Sequence, residues 1–186
     1  HRAIYSGDNF GICYREFDTA AGPFMLPTTT PVHFEPEVLH QTIDRLLAYR
    51  PRRIVQTHFG PVTDLERLAR DLHADLDALV VMARRHAAAP DRAQRLRHDM
   101  FEHFNARLDA HGYTGSLARR HELIDEDVNL NTQGLEVWLD RKYSGNASRP
   151  FDSFLRSEQQ RLANGNTLIV ESNGGRIFEV TRAGDI

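Results

Sequence analysis

Apolar positions along the chain change their spacing several times, and each change marks a different kind of element. Residues 2–6 are short and β-prone, with Ile4 and Tyr5, and they run into the turn formers Gly7, Asp8 and Asn9. A strand leading into a loop is expected there. Residues 22–36 carry Pro23, Pro27, Pro31 and Pro36 around Thr28, Thr29 and Thr30, so neither a helix nor a ladder can persist. That stretch is a long loop, and long loops in compact domains tend to be functional. In residues 37–49, Val38, Ile43, Leu46 and Leu47 share one helical stripe that Pro51 ends. Residues 52–57 then give Ile54 and Val55 as a short buried strand, which leaves through Thr57-His58-Phe59-Gly60-Pro61. Strand, helix and strand make an α/β unit, and ligands commonly sit where such strands exit.

The spacing becomes helical for most of the middle of the chain. Thr63 reads as an N-cap with Glu66 completing a capping box, followed by Leu65, Leu68, Leu72, Leu76, Leu79, Val80 and Ala83 on one face, ending before Pro90. Residues 91–110 form a second helix through Leu96, Met100, Phe101, Phe104 and Leu108, stopped by Gly112. A third spans residues 126–141, with Leu130, Leu135, Val137, Trp138 and Leu139. Residues 144–150 are a polar linker, and 167–170 and 176–181 read as two strands joined by Ser172-Asn173-Gly174-Gly175, a β-hairpin by its turn chemistry. The expected division is residues 1–62 as an α/β part, 63–143 as a helical extension, 144–150 as linker and 151–186 as a hairpin tail.

Composition narrows the class. With 40% hydrophobic and 26% charged residues among 186, a globular chain is expected, and disordered or collagenous chains are excluded. No apolar run approaches the roughly 18–20 residues of a membrane-spanning helix. A net charge of -3 argues against a broad nucleic-acid footprint. Cys13 is the single cysteine, so no internal disulfide can form, which fits a reducing, cytoplasmic compartment. Lys142 is the lone lysine among 23 cationic side chains, an arginine bias like that of a GC-rich bacterial genome. The start at His1, without an initiator Met, gives the expectation of a fragment.

Ten histidines invite a metal reading. His86, His98, His103, His111 and His121 fall on polar helical surface, with no carboxylate or cysteine at ligand spacing, and are expected to be solvated. His98 and His103 are five apart, where a zinc-binding helix needs four. Asp8 and His58 differ, because each follows a short strand where a Gly-containing loop begins. A carboxylate and a neutral imidazole suit Zn²⁺, Mn²⁺ or Fe²⁺. A turn former and a hydrogen-bonded loop residue are the simpler alternatives. Cys13 reads as a small buried filler and Trp138 as core.

Ser6-Gly7-Asp8-Asn9-Phe10-Gly11, then a helix, then Thr57-His58-Phe59-Gly60-Pro61, resembles the second half of metallo-β-lactamase-fold hydrolases. The run Asn129-Leu130-Asn131-Thr132-Gln133-Gly134-Leu135-Glu136-Val137-Trp138-Leu139 resembles the C-terminal helical extension of one bacterial branch. The resemblance covers about residues 1–143. It implies the C-terminal half of an αβ/βα sandwich, with Asp8 bridging two metal ions, His58 binding one of them and His33 lining a pocket for a small-molecule substrate. Zn²⁺ is the implied ion, with Mn²⁺ or Fe²⁺ as alternatives, and a metal-bound hydroxide would attack an ester, amide or phosphoester. The family's His-x-His-x-Asp-His motif has no counterpart among these residues. Competence of this chain alone is therefore not expected.

The tail carries a second resemblance. Gln160-Arg161-Leu162-Ala163-Asn164-Gly165-Asn166-Thr167-Leu168-Ile169, continued by Gly175-Arg176-Ile177-Phe178-Glu179-Val180-Thr181, resembles a blade segment of arylsulfotransferase-type β-propellers. Two strands are far short of a propeller. A further alternative from another class is a non-catalytic module, in which the leucine-rich helices 64–88 and 91–110 form a homodimer or partner interface.

Overall fold

The computed structural model describes residues 3–29, 34–143, 157–161, 167–171 and 176–180. These residues are α/β, with a small mixed sheet, a second three-stranded sheet and four α-helices. Strand β1 (Ala3–Gly7) lies parallel to β2 (Arg53–Gln56), and helix α1 (Pro36–Ala48) connects them. The expected strand, helix and strand unit is present. Pro36 occupies the first turn of α1, where its missing N–H costs nothing, and Arg50 at φ 49° with Pro51 prevents continuation. A strand not foreseen, β3 (Pro61–Val62), returns antiparallel to β2 and pairs Val62 with Ile54. Two residues are too few to show a periodicity.

The register of β1 on β2 contains one irregularity. Ile4 faces Ile54 and Tyr5 faces Val55, but Gly7 faces Gln56, so Ser6 is an extra residue in the ladder. Gly7 accommodates this bulge at φ 57°. Asp8 is the next residue.

Helix α2 (Leu65–His86) is as long as its leucine spacing implies, but its start differs. Asp64, not Thr63, holds the N-cap position, and no side chain caps it. Its carboxylate is occupied by the guanidinium of Arg67 instead. Helix α3 (Arg92–Ala110) begins after Asp91, and Gly112 at φ 81° follows its end. Helix α4 (Leu117–Tyr143) starts nine residues before the expected 126. Its first two turns are mostly polar, with the apolar stripe beginning only at Leu123 and Ile124, so the signal for the start is tertiary. Arg120, nearly buried, donates to the carbonyls of Asn105, Tyr113 and Gly115 and pairs with Asp109, while the Ser116 hydroxyl accepts from Arg119 N–H.

One hydrophobic core joins these parts. Ile4 and Ile54 from the sheet, Phe10, Phe17, Phe24 and Met25 from the loop after β1, and Leu72, Leu76, Met100, Phe104 and Leu135 from the helices belong to the same buried cluster. Each such side chain contributes about 1.5–3 kcal/mol by leaving water. A buried ionic knot crosses it. Asp75 of α2 is 1% exposed and accepts from His103 Nε2 at 2.8 Å and from Arg107, both on α3. Burial pushes its carboxyl upward, against the pull of His103 and Arg107. Arg107 also donates to Met25 O and lies over the Phe24 ring, so the loop, α2 and α3 share one cation.

The expected hairpin is found as β5 (Thr167–Glu171) and β6 (Arg176–Val180), with a further strand, β4 (Ser157–Arg161), on the other side of β5. The sequence of β4, Ser-Glu-Gln-Gln-Arg, lacks the apolar alternation that reveals a strand. The two sheets have no shared ladder, although β5 lies beside β1.

Gly11 shows how tightly the loop after β1 is set. It sits at φ 65°, and a Cβ there would lie 2.5 Å from Leu26 O and 2.8 Å from Leu72 Cδ2. Gly11→Ala is expected to lower stability by about 3 kcal/mol, through backbone strain and the clash together. Urea unfolding measures this, and an unchanged midpoint would contradict the close approach.

Candidate functional site

The bulge at the end of β1 and the loop after β2 bring Asp8 and His58 to the same edge of the sheet, at the C-terminal ends of two parallel neighbouring strands. His58 Nε2 is 3.9 Å from Asp8 Oδ1, and both side chains are partly exposed. An open pair at that distance contributes little to stability. Its interest is chemical.

Both loops are fixed from beneath. The Asp8 carbonyl accepts from Gly11 N at 3.0 Å and from the Thr28 hydroxyl at 2.7 Å. Gln56, buried one strand away, donates through Nε2 to the carbonyls of Phe10 at 2.9 Å and Gly11 at 2.7 Å. The His58 loop is clamped by Arg15, whose guanidinium donates to Phe59 O at 2.9 Å and Pro61 O at 2.6 Å. Phe59 itself has φ 70°, a left-handed backbone that a non-glycine residue adopts at a cost of about 1–3 kcal/mol. Strain of that kind beside a candidate ligand is a common feature of functional loops.

A second carboxylate joins the site from α4, one that the sequence reading passes over. The Tyr14 hydroxyl donates to Asp127 Oδ2 at 2.7 Å, and the Tyr14 ring packs on Phe59 with centroids 4.3 Å apart. Burial raises the Asp127 carboxyl; the Tyr14 hydrogen bond lowers it, Glu126 raises it, and the charges of His58 and Asp8 act on it in opposite directions. Asp127 therefore shares an electrostatic environment with both predicted residues. Helix α4 is held at this depth by Asn131, one turn further on. Its amide accepts from Thr29 N at 2.7 Å and donates to Pro27 O at 2.9 Å.

His33 lies outside the described residues. Cys13 is fully buried, with burial pushing its thiol up to about 11, which fits a core filler and not a nucleophile. Trp138 is buried as expected. The helical histidines need correction, because carboxylates reach them from other turns and other helices. His86 lies 2.7 Å from Asp99, His103 2.8 Å from the buried Asp75, and His121 2.8 Å from Asp125, while His111 Nε2 lies 2.9 Å from Gly22 O. The Asp125 partner of His121 stands four residues on, a local spacing that the expectation of solvated histidines overlooked, while the others come from distant parts of the chain.

The donor pair fits part of a metal shell. Two ligands at about 2 Å on a tetrahedral ion are roughly 3.3 Å apart, so a small rotation brings Asp8 and His58 onto one cation. Among the described residues, no group of three or more His, Cys, Asp or Glu is arranged to hold a metal. Asp8 and His58 would fill two corners of such a shell and leave the others to water or to other ligands.

The sign of the Asp127 effect is testable. A carboxyl raised in the folded state makes stability fall as pH climbs from the ordinary carboxylate value to the raised one. Asp127→Asn should then raise the thermal midpoint at neutral pH, and the gain should vanish at pH values below the ordinary carboxylate range. Equal gains at both ends, or a loss at neutral pH, would contradict the burial effect.

Comparison with protein-family models, with curated proteins and with solved structures finds no match to this chain.

Proposed function

We propose that this chain carries the aspartate- and histidine-bearing part of a metal-dependent hydrolase of the metallo-β-lactamase superfamily, acting on an ester, amide or phosphoester. The observation that supports this reading is the meeting of Asp8 and His58 across β1 and β2, each on a loop whose backbone is independently tied down. Rigid loops at the carboxyl ends of parallel strands are where α/β proteins place ligands. A divalent ion held there, Zn²⁺ in the first instance, would polarise the scissile bond and acidify its bound water.

The chain's own residues have separable duties. Asp8 and His58 would hold the ion. Tyr14 keeps the Asp127 carboxylate oriented beneath Phe59, and Arg15 keeps the His58 loop from relaxing. Two protein ligands are fewer than the three or four of established zinc sites, so full activity requires ligands beyond the described residues.

Calorimetric titration of the 186-residue chain with zinc should show weak binding, with a dissociation constant of roughly 10 μM to 1 mM. Asp8→Ala and His58→Ala should each weaken it by about tenfold or more. Ester and phosphodiester turnover by the chain alone should stay at background. Zinc binding untouched by both substitutions would overturn the assignment of these two residues as ligands.

A further inference from the structure

The outer face of α2 carries small and apolar side chains at its centre, where a solvated helix face would be polar. Ala74, Asp77, Val81, Arg84 and Arg85 stand exposed along it, and Ala78 is half-buried. Val81 is 53% exposed. Beside it a groove of about 450 Å³ runs between α2 and α3, lined by Ala78, Val81, Met82 and Arg85 of α2 and by α3 residues that include His98 and Glu102. An apolar knob thus stands next to an open hole. The charges around them are poorly matched within the chain. Glu102 makes no ion pair or side-chain hydrogen bond among the described residues. Arg85, 63% exposed, lies 3.6 Å from Asp99, and Asp77, 78% exposed, lies 3.3 Å from His40 Nε2.

With about 3.6 residues per turn and Val81 at the centre of the face, Asp77 and Arg84 fall on one flank of α2, Ala78 and Arg85 on the other. A second copy of α2 laid antiparallel on the first, about a two-fold axis beside Val81, reverses the direction along the helix but keeps each flank on its own side. Residues of one flank therefore meet. Asp77, four positions before Val81, comes level with the partner's Arg84, three positions after it. On the other flank Arg85 passes over the partner's Ala78, whose single methyl leaves room for the arginine stem, and enters the groove that Glu102 borders. Each contact occurs twice. We propose that this face is an isologous interface between two copies of the chain, with Val81 packed on its counterpart and each Arg85 paired with Glu102 of the other copy.

The charge pattern selects a second copy as the occupant. Each flank carries one acid and one base, placed so that a two-fold rotation exchanges them, whereas a partner of single sign would leave half of these groups unmatched. One helix crossing and its groove form a contact at the small end of specific interfaces, below about 1,200 Å² of total surface. The dimer is accordingly weak, and its flanking charges give it specificity and a dependence on salt. Asp8 and His58 belong to other elements, so this interface stands apart from the metal reading.

Analytical ultracentrifugation of the whole chain at low salt, over concentrations from about 10 μM to about 1 mM, tests this. The wild type should follow a monomer–dimer equilibrium with a dissociation constant of roughly 10–100 μM. Val81→Glu should raise that constant about tenfold or more while leaving the thermal midpoint unchanged, since the side chain is exposed. Arg85→Glu and Glu102→Arg should each weaken the homodimer by about tenfold, because like charges then face each other twice. An equimolar mixture of these two variants should form a heterodimer at close to wild-type affinity, since both pairs are again opposite in sign, and an effect within one chain cannot produce that recovery. A wild type that stays monomeric at the highest concentration, dimerisation that Val81→Glu leaves unchanged, or a mixture no tighter than its components would overturn the proposal.

Discussion

Two backbone carbonyls, those of Phe10 and Gly11, are buried away from water, and the side-chain amide of Gln56 satisfies both. Leaving them unpaired would cost about 1–3 kcal/mol each, enough to force the loop after β1 into another path. Gln56 is the last residue of β2, so the same side chain that closes the strand also fastens the neighbouring loop. Gly11 can approach so closely only because it lacks a side chain, and Ile12 then bridges to Leu26. Together with the bulge at Ser6, this fastening sets where Asp8 stands beside His58.

The helices are more than a cover for the sheet. Asn131 grips the backbone at Pro27 and Thr29, and Asp127, a turn earlier on the same face, reaches Tyr14 next to the His58 loop. The Asp75, His103 and Arg107 knot ties α2 to α3, and through Met25 it reaches the loop that follows β1. Polar contacts buried to this degree restrict how the layers can slide, since a shift of any helix would strand a charge or an amide.

Much of the architecture was legible in the sequence. Periodicity placed α1, α2, α3, β1 and β2 because each buries an apolar face of its own, and turn chemistry located β5 and β6. Asp8 and His58 were visible because a polar residue at a strand exit is a local signal. What escaped was set by distant partners. The start of α4 depends on Arg120 finding carbonyls in α3 and its exit loop, and Asp127 meets Tyr14 across 113 positions of chain. His40 of α1 and His73 of α2 are 33 positions apart, and only the packing of the two helices sets their Nδ1 atoms 2.6 Å from each other. His103 looked solvated for the same reason, its carboxylate lying on another helix.

The extra residue in β1 has a consequence for how this chain tolerates change over evolutionary time. Side chains along a strand alternate between faces, so losing one residue from the bulge would restore regular pairing and turn Asp8 toward the opposite side of the sheet. Exchanges of one apolar residue for another in β1 leave the alternation intact. A single-codon deletion does not. Selection on this strand accordingly falls on its length as much as on its lettering, and insertions and deletions should be far rarer between Ala3 and Asp8 than conservative replacements.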